Sequence, residues 1–385
     1  MPLNAHDAVM LTRKHAVFAA AAMYGLFSSP TPDAPGMTEY LIVALIGFAG
    51  LPMRLPREKW VLPYTVFILY GLTVPFIMGA FAGHEGGGIL RDAVAFSALA
   101  LPLLLTQLYP AGDRTAQRML LLMLLGIGVL FSIRYLLSVA TPAGFLRDHD
   151  LLYLANSPLV AFAGAWMLLQ GSFTETRPGR AALMCLSSVI PVLAMIAMTQ
   201  RATVMLLACA WLAGFTVCVV RNPRRALVLG LVLVITGILL APWPGYVAQS
   251  FADKTMAVGW NARGAELGAL MNASMGNPLT AIFGSGWGSM LKSPAVGDLW
   301  VRFSHALFTS LLWKTGWVGF ILSIAAMGTL VAAAFRRLRH DMVTFTALIL
   351  PLLPALFLYG SYKSLCFGLL LLGLAALQWT KPAQG

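Results

Sequence analysis

Charge is scarce in this chain: 10% of its 385 residues are Asp, Glu, Lys or Arg, against about 25% in a soluble domain. A deficit of that size over the whole length excludes an ordinary water-soluble fold. Cysteine is confined to Cys185, Cys209, Cys218 and Cys366. All four fall inside apolar runs, without metal-ligand spacing and away from any loop that would hold a disulfide, so we read them as small core residues. Also lacking are a long polar domain before or after the apolar runs, an internal duplication and a low-complexity segment. A single integral membrane domain over 1–385 is the simplest organisation.

Apolar residues fill the space that charge leaves, at 59% of the chain and a mean hydropathy of +0.80. The runs are about 16 to 29 residues long, the length of membrane-crossing helices rather than barrel strands. We place spans near 15–29, 37–53, 60–80, 93–109, 119–138, 151–170, 181–199, 203–220, 226–241, 305–334, 342–359 and 364–379. The expected fold is therefore an all-α polytopic membrane protein of about twelve transmembrane helices. The first run follows Arg13 and Lys14 and precedes SSPTPDA, a layout that a secretory signal shares; we count it as a span.

A net charge of +12 would suit nucleic acid, but the basic residues sit in short clusters between spans, where they encode topology. Assigning alternate loops to alternate sides gathers Arg13, Lys14, Arg54, Arg57, Lys59, Arg114, Arg118, Arg177, Arg180, Arg221, Arg224, Arg225, Arg336, Arg337, Arg339 and Lys381 on one face. That face is expected to be cytoplasmic, with both termini on it, in a bacterial inner membrane. The other face carries Arg91, Arg147, Arg201, Lys254, Arg263, Lys292, Arg302 and Lys363. Arg134 and Lys314 fall inside spans, where charge is costly. We read Arg134 as reaching the interface and Lys314 as snorkelling or touching a cavity.

The longest interruption runs from Pro242 to Gly319, with a loop over 242–304 between the ninth and tenth spans. Three segments on this outer face carry chemistry. Arg201 occupies a turn of a few residues between two spans. Arg263 opens a pattern with Leu267, Leu270, Met271 and Met275 at helical spacing, expected to lie on the interface and to end at Gly276 and Pro278. His305 stands at the mouth of a span. Arginine forks match phosphate oxygens and never lose their charge, so two of them suit a pyrophosphate leaving group. A neutral histidine beside it suits removal of a proton from a hydroxyl. The plainer alternatives are a satisfied interface histidine and arginines on lipid headgroups.

Three further patterns carry less. FGSGWGS, Phe283 to Ser289, lacks the Lys-Ser or Lys-Thr of a phosphate loop, and we read it as a turn where backbone passes close to a neighbour. Asp148 and Asp150 form an Asp-x-Asp element that elsewhere holds Mg²⁺ or Mn²⁺. His84 and Glu85 are a similar pair. We read both as solvated loop residues.

Together the three segments resemble the O-antigen ligase and polysaccharide polymerase family. The resemblance covers roughly residues 185 to 340. It lies in Gln200-Arg201-Ala202 at a short turn, in Arg263 ahead of Pro278-Leu279 and the Gly284–Gly286 turn, and in His305 followed by Gly316 and Gly319. It implies a GT-C type helical bundle, like other lipid-dependent membrane glycosyltransferases, with the periplasmic loop forming part of the active site. It implies transfer of a saccharide from an undecaprenyl-pyrophosphate donor to an acceptor hydroxyl, by a single inverting displacement without metal or other cofactor. Arg201 and Arg263 would grip the donor pyrophosphate and His305 would activate or position the acceptor. Gln200 stands where serine is usual, and Ala306 where polymerases commonly have asparagine. The expected reaction is ligation of O-antigen to lipid A–core, with polymerisation of O-antigen or exopolysaccharide as the alternative. A lipid or solute transporter is more remote, because the two halves show no matched broken helices. Membrane lipids are expected partners, and nucleic acid is not.

Overall fold

Lipid offers no partner to a backbone N–H or C=O, so each apolar run must satisfy its own backbone, and helix is the way a single segment does so. The computed structural model describes residues 5–28, 36–140, 153–239, 261–357 and 364–378. In chain order these form α1 (Ala5–Phe27), α2 (Met37–Gly50), α3 (Val61–Phe81), α4 (Gly86–Ser97) and α5 (Leu101–Leu105). The bundle continues with α6 (Arg114–Ala140), α7 (Pro158–Leu169), α8 (Pro178–Ala197), α9 (Arg201–Arg221) and α10 (Pro223–Leu239). The segment between α10 and the last three helices folds, where described, as α11 (Asn261–Met275), α12 (Pro278–Phe283) and a hairpin of β1 (Leu291–Ser293) and β2 (Leu299–Val301). Three helices close the chain: α13 (Leu307–Leu338), α14 (Met342–Phe357) and α15 (Leu365–Ala376).

Among the described residues, six helical segments are long and apolar enough to cross a membrane: Val61–Phe81, Gly86–Leu108, Arg114–Val139, Pro178–Ala197, Arg201–Arg221 and Leu307–Leu338. Three more, α2, α14 and α15, are apolar but shorter. The protein is thus an all-α, polytopic, membrane-embedded chain.

Helix position follows from which faces are apolar. α15 reads LCFGLLLLGLAA and is buried from Cys366 to Ala376, which makes it a central post. α9 turns Met205, Leu212, Val217, Val219 and Val220 outward, as a helix bordered by lipid does. Cys209 is exposed on that same helix, whereas Cys218 and Cys366 are buried and Cys185 is half-buried. The reading of all four as core residues is corrected at Cys209.

Side-chain contacts define two ends of the bundle. At one, Arg337 near the end of α13 donates to Glu58 ahead of α3 at 2.5 Å, and Gln117 on α6 donates to the Ala376 carbonyl at 3.0 Å. At the other, Phe308 on α13 meets Phe357 on α14, with ring centroids 5.3 Å apart, and Cys366 donates to the Tyr24 hydroxyl at 3.4 Å. Arg134 does not simply reach the interface. Its Nη1 donates to the carbonyls of Gly25 at 2.9 Å and Ser28 at 2.6 Å, satisfying the last turn of α1.

Candidate active site

The glycine loop after α12 is built around a break in α13. Gly316 has φ 66° inside that helix, a conformation that costs an L side chain, and the carbonyls before it lose their helical partners. The loop supplies new ones. Ser285 N–H donates to the Trp313 carbonyl at 2.9 Å and Gly286 N–H to that of Lys314 at 3.1 Å. The Tyr70 hydroxyl donates to the Thr315 carbonyl at 2.9 Å.

Gly286, at φ 79°, is needed for approach as well as conformation, since a Cβ there would sit 2.2 Å from the Gly79 nitrogen of α3. Trp287 then plugs α3. Pro75 has no N–H to give the Gly71 carbonyl, and the Trp287 indole donates to it at 2.8 Å while its backbone N–H donates to the Pro75 carbonyl at 2.9 Å. Close passage of backbone is what FGSGWGS was expected to mean.

Lys314 precedes the break and is fully buried, so the snorkelling expectation is corrected. Its ammonium is bonded to Asp92 of α4, which is buried as well. Gly288 N–H donates to the same Asp92 oxygen at 2.9 Å, and the ammonium lies 4.7 Å from the centre of the Trp313 ring. In a low-dielectric interior a cation must be paired, and it also suits the carbonyl end of the half-helix it terminates.

His305 lies just before α13, and its ring meets a carboxylate that the apolar pattern did not reveal. Nδ1 is 3.0 Å from both oxygens of Glu266 on α11. Ser293 Oγ on β1 donates to Glu266 Oε1 at 3.0 Å, and the His305 backbone N–H donates to Oε2 at 3.4 Å. Burial pushes the Glu266 carboxyl up, but hydrogen bonds from His305 and Ser293 and the charge of His305 outweigh it and hold it below the ordinary glutamate range. The carboxylate is 4% exposed, while the imidazole is partly open to its surroundings. Among the described residues, Nε2 is bonded to none.

α11 forms where Arg263 and its apolar spacing were expected, and it ends before Gly276 and Pro278. Its buried face is different: Glu266, Leu270 and Ser274 point inward, while Leu267 and Met275 point out. The inward residues recur every fourth position, and two of the three are polar, so counting apolar residues alone misplaces the face.

Arg201 is the first residue of α9 and is half-buried. Thr199 takes φ 55° in the turn before it. Gln200 docks the turn on the start of α7, its amide donating to the Ala155 carbonyl at 2.5 Å and to Asn156 Oδ1 at 3.2 Å. The start of α7, the start of α9 and the mouth of α13 share one end of the bundle, so Arg201 and His305 do as well. Position 263 lies in the first turn of α11, one turn before Glu266.

The remaining candidates have structural partners or fall elsewhere. Arg302 pairs with Glu85 at 2.5 Å, and His84 Nδ1 lies 3.0 Å from the Trp287 carbonyl. Those contacts tie the turn between α3 and α4 to the segment between α12 and α13, which corrects the reading of His84 and Glu85 as merely solvated. Lys292 is exposed on β1. Asp148, Asp150 and Lys254 lie outside the described residues. Among the described residues no group of three His, Cys, Asp or Glu side chains is placed to hold a metal ion.

No protein-family model matches the chain, and a search of curated proteins finds no significant match. Fold and site together define a membrane-embedded helical protein with a histidine–carboxylate pair at one end of its bundle.

Proposed function

We propose that this chain is a periplasmic-face glycan transferase. It moves a saccharide from undecaprenyl pyrophosphate to an acceptor hydroxyl, with lipid A–core as the acceptor and O-antigen as the glycan. The loop over 242–304 faces the periplasm, about twelve helices cross the inner membrane, and both termini are cytoplasmic. The observation that supports this reading best is His305. One ring nitrogen is committed to a buried carboxylate, and the other is bonded to none of the described residues.

Arg201 and Arg263 hold the donor pyrophosphate by charge and fork geometry. The acceptor hydroxyl gives its proton to His305 Nε2 while its oxygen forms a bond to the anomeric carbon. The bond from that carbon to the pyrophosphate breaks with its electron pair, leaving undecaprenyl pyrophosphate and inverted configuration. Both arginines stabilise the departing charge.

A family polymerase would use the same chemistry on a glycan acceptor. Deleting the gene separates the two: accumulated polyprenyl-linked polymer with bare lipid A–core marks a ligase, and a single repeat on the core marks a polymerase. An unchanged glycolipid profile contradicts both. The break at Gly316 is a feature that transporters also use, where unwound backbone coordinates an ion. Here the carbonyls of Trp313, Lys314 and Thr315 are already taken by Ser285, Gly286 and Tyr70, which favours a transferase. Substrate counterflow in proteoliposomes that survives His305→Ala would overturn that preference.

A further inference from the structure

We propose that Glu266 is the positioning residue of the site: it fixes the proton of neutral His305 on Nδ1 and so turns Nε2 into the proton acceptor. The proposal rests on the transferase reading for its consequence but not for its geometry. An ionised carboxylate has acceptors only. With both Glu266 oxygens 3.0 Å from Nδ1, the ring nitrogen between them must be the one that carries hydrogen. The identity of the protonated nitrogen in a histidine is set by the bond its other nitrogen makes, and here that bond leaves the Nε2 lone pair outward.

The carboxylate is itself held. Ser293 Oγ–H and the His305 backbone N–H donate to its two oxygens. Glu266 therefore cannot swing away without leaving a buried charge unsatisfied, and the hairpin, α11 and the mouth of α13 converge on one side chain. Charged residues on the elements that meet at His305 include Arg263 and Glu266 on α11, Lys292 on β1, Asp298 in the hairpin turn, Arg302 paired with Glu85, and Lys314 on α13 paired with Asp92. Glu266 is the one bonded to the ring. Once Nε2 has taken the hydroxyl proton, the same carboxylate faces an imidazolium and stabilises it, as a buried acid does for histidine in hydrolytic triads.

Position 263 adds a geometric corollary. Position 263 and Glu266 stand three apart, so one helix carries both. On the transferase reading, donor binding and acceptor activation thus share α11.

The test is ¹⁵N NMR on protein with labelled histidine in nanodiscs, the His305 signals being assigned by their loss in His305→Ala. At a pH where the ring is neutral, the proposal expects a protonated Nδ1 and an unprotonated Nε2. Glu266→Gln replaces an acceptor-only carboxylate with an amide that can also donate, so the hydrogen should no longer be held exclusively on Nδ1. In a transfer assay the same variant should lower kcat by about 10²- to 10⁴-fold with little change in KM. Glu266→Asp, which keeps the charge on a shorter arm, should recover part of the loss.

A wild-type ring protonated on Nε2 overturns the proposal, even if Glu266→Gln does not fold. So does a folded Glu266→Gln whose ring stays wholly protonated on Nδ1. A wild-type protein that shows the expected tautomer but transfers no glycan contradicts the function and leaves the positioning role standing.

Discussion

Lys314 and Asp92 form a fully enclosed ion pair between the two sides of the glycine loop, 222 residues apart in the chain. One stands on the half-helix before the Gly316 break and the other on α4, with Gly288 N–H completing the carboxylate. The pair anchors the loop that carries Trp287, and through it the segment that leads to His305.

Breaking this pair on one side leaves a buried charge unpaired, which costs about 3–5 kcal/mol. Lys314→Met and Asp92→Asn should each sharply reduce the monodisperse fraction recovered in detergent. The double substitution should recover most of it, because two apolar or neutral groups need no mutual compensation. Size-exclusion profiles and thermal melts check this; a double variant worse than either single would refute it.

The Trp287–Gly71 bond makes a sharper prediction. Trp287→Phe removes the donor to a buried carbonyl, at a cost of about 1–3 kcal/mol. Pro75→Ala restores a helical N–H that can take that carbonyl, so it should partly rescue Trp287→Phe. A thermal-melt double-mutant cycle reads the coupling, and strict additivity would contradict the assigned bond.

Two glycines in nearby elements should respond oppositely. Gly286→Ala places a Cβ 2.2 Å from the Gly79 nitrogen at φ 79°, and it should abolish recovery of folded protein. Gly268→Ala on α11 meets nothing within 4 Å, and it should raise stability by up to about 1 kcal/mol through helix propensity. Melting temperatures of the two variants decide.

Acid should act through Glu266. Its carboxyl is held below the ordinary range in the fold. The stability it contributes is therefore complete above that range, about pH 4.3, and is lost as pH falls through the folded value. Below about pH 5 the melting-temperature gap between wild type and Glu266→Gln should narrow as pH falls, because protonation of the carboxyl removes the charge that Gln also lacks. A gap that stays constant or widens from about pH 5 to about pH 3 would contradict the pairing.

The apolar runs made the helices legible, because length and hydropathy alone decide whether a segment can satisfy its backbone in lipid. The turn at Arg201, the helix starting near Arg263 and the close-packed glycine turn were legible for the same local reason. What the sequence concealed were pairings across the chain. Asp92 looks like an ordinary charge among apolar residues until Lys314 is beside it. Glu266 sits in a segment whose Leu267 and Met275 suggest the opposite face. An acid one turn after Arg263, in a helix expected on the same face as His305, was the available signal. Arg134 was concealed likewise, since a carbonyl partner on α1 leaves no trace in composition.

The central claim is that His305, with Arg201 and Arg263, transfers a glycan from a lipid pyrophosphate. It is tested most directly with purified protein, an undecaprenyl-pyrophosphate glycan and lipid A–core, with His305→Ala compared at equal folded amounts. The account predicts lipid A–core product that persists in EDTA, and a rate at least about 100-fold lower for His305→Ala. No product from the wild type, or an undiminished rate from His305→Ala, would contradict it.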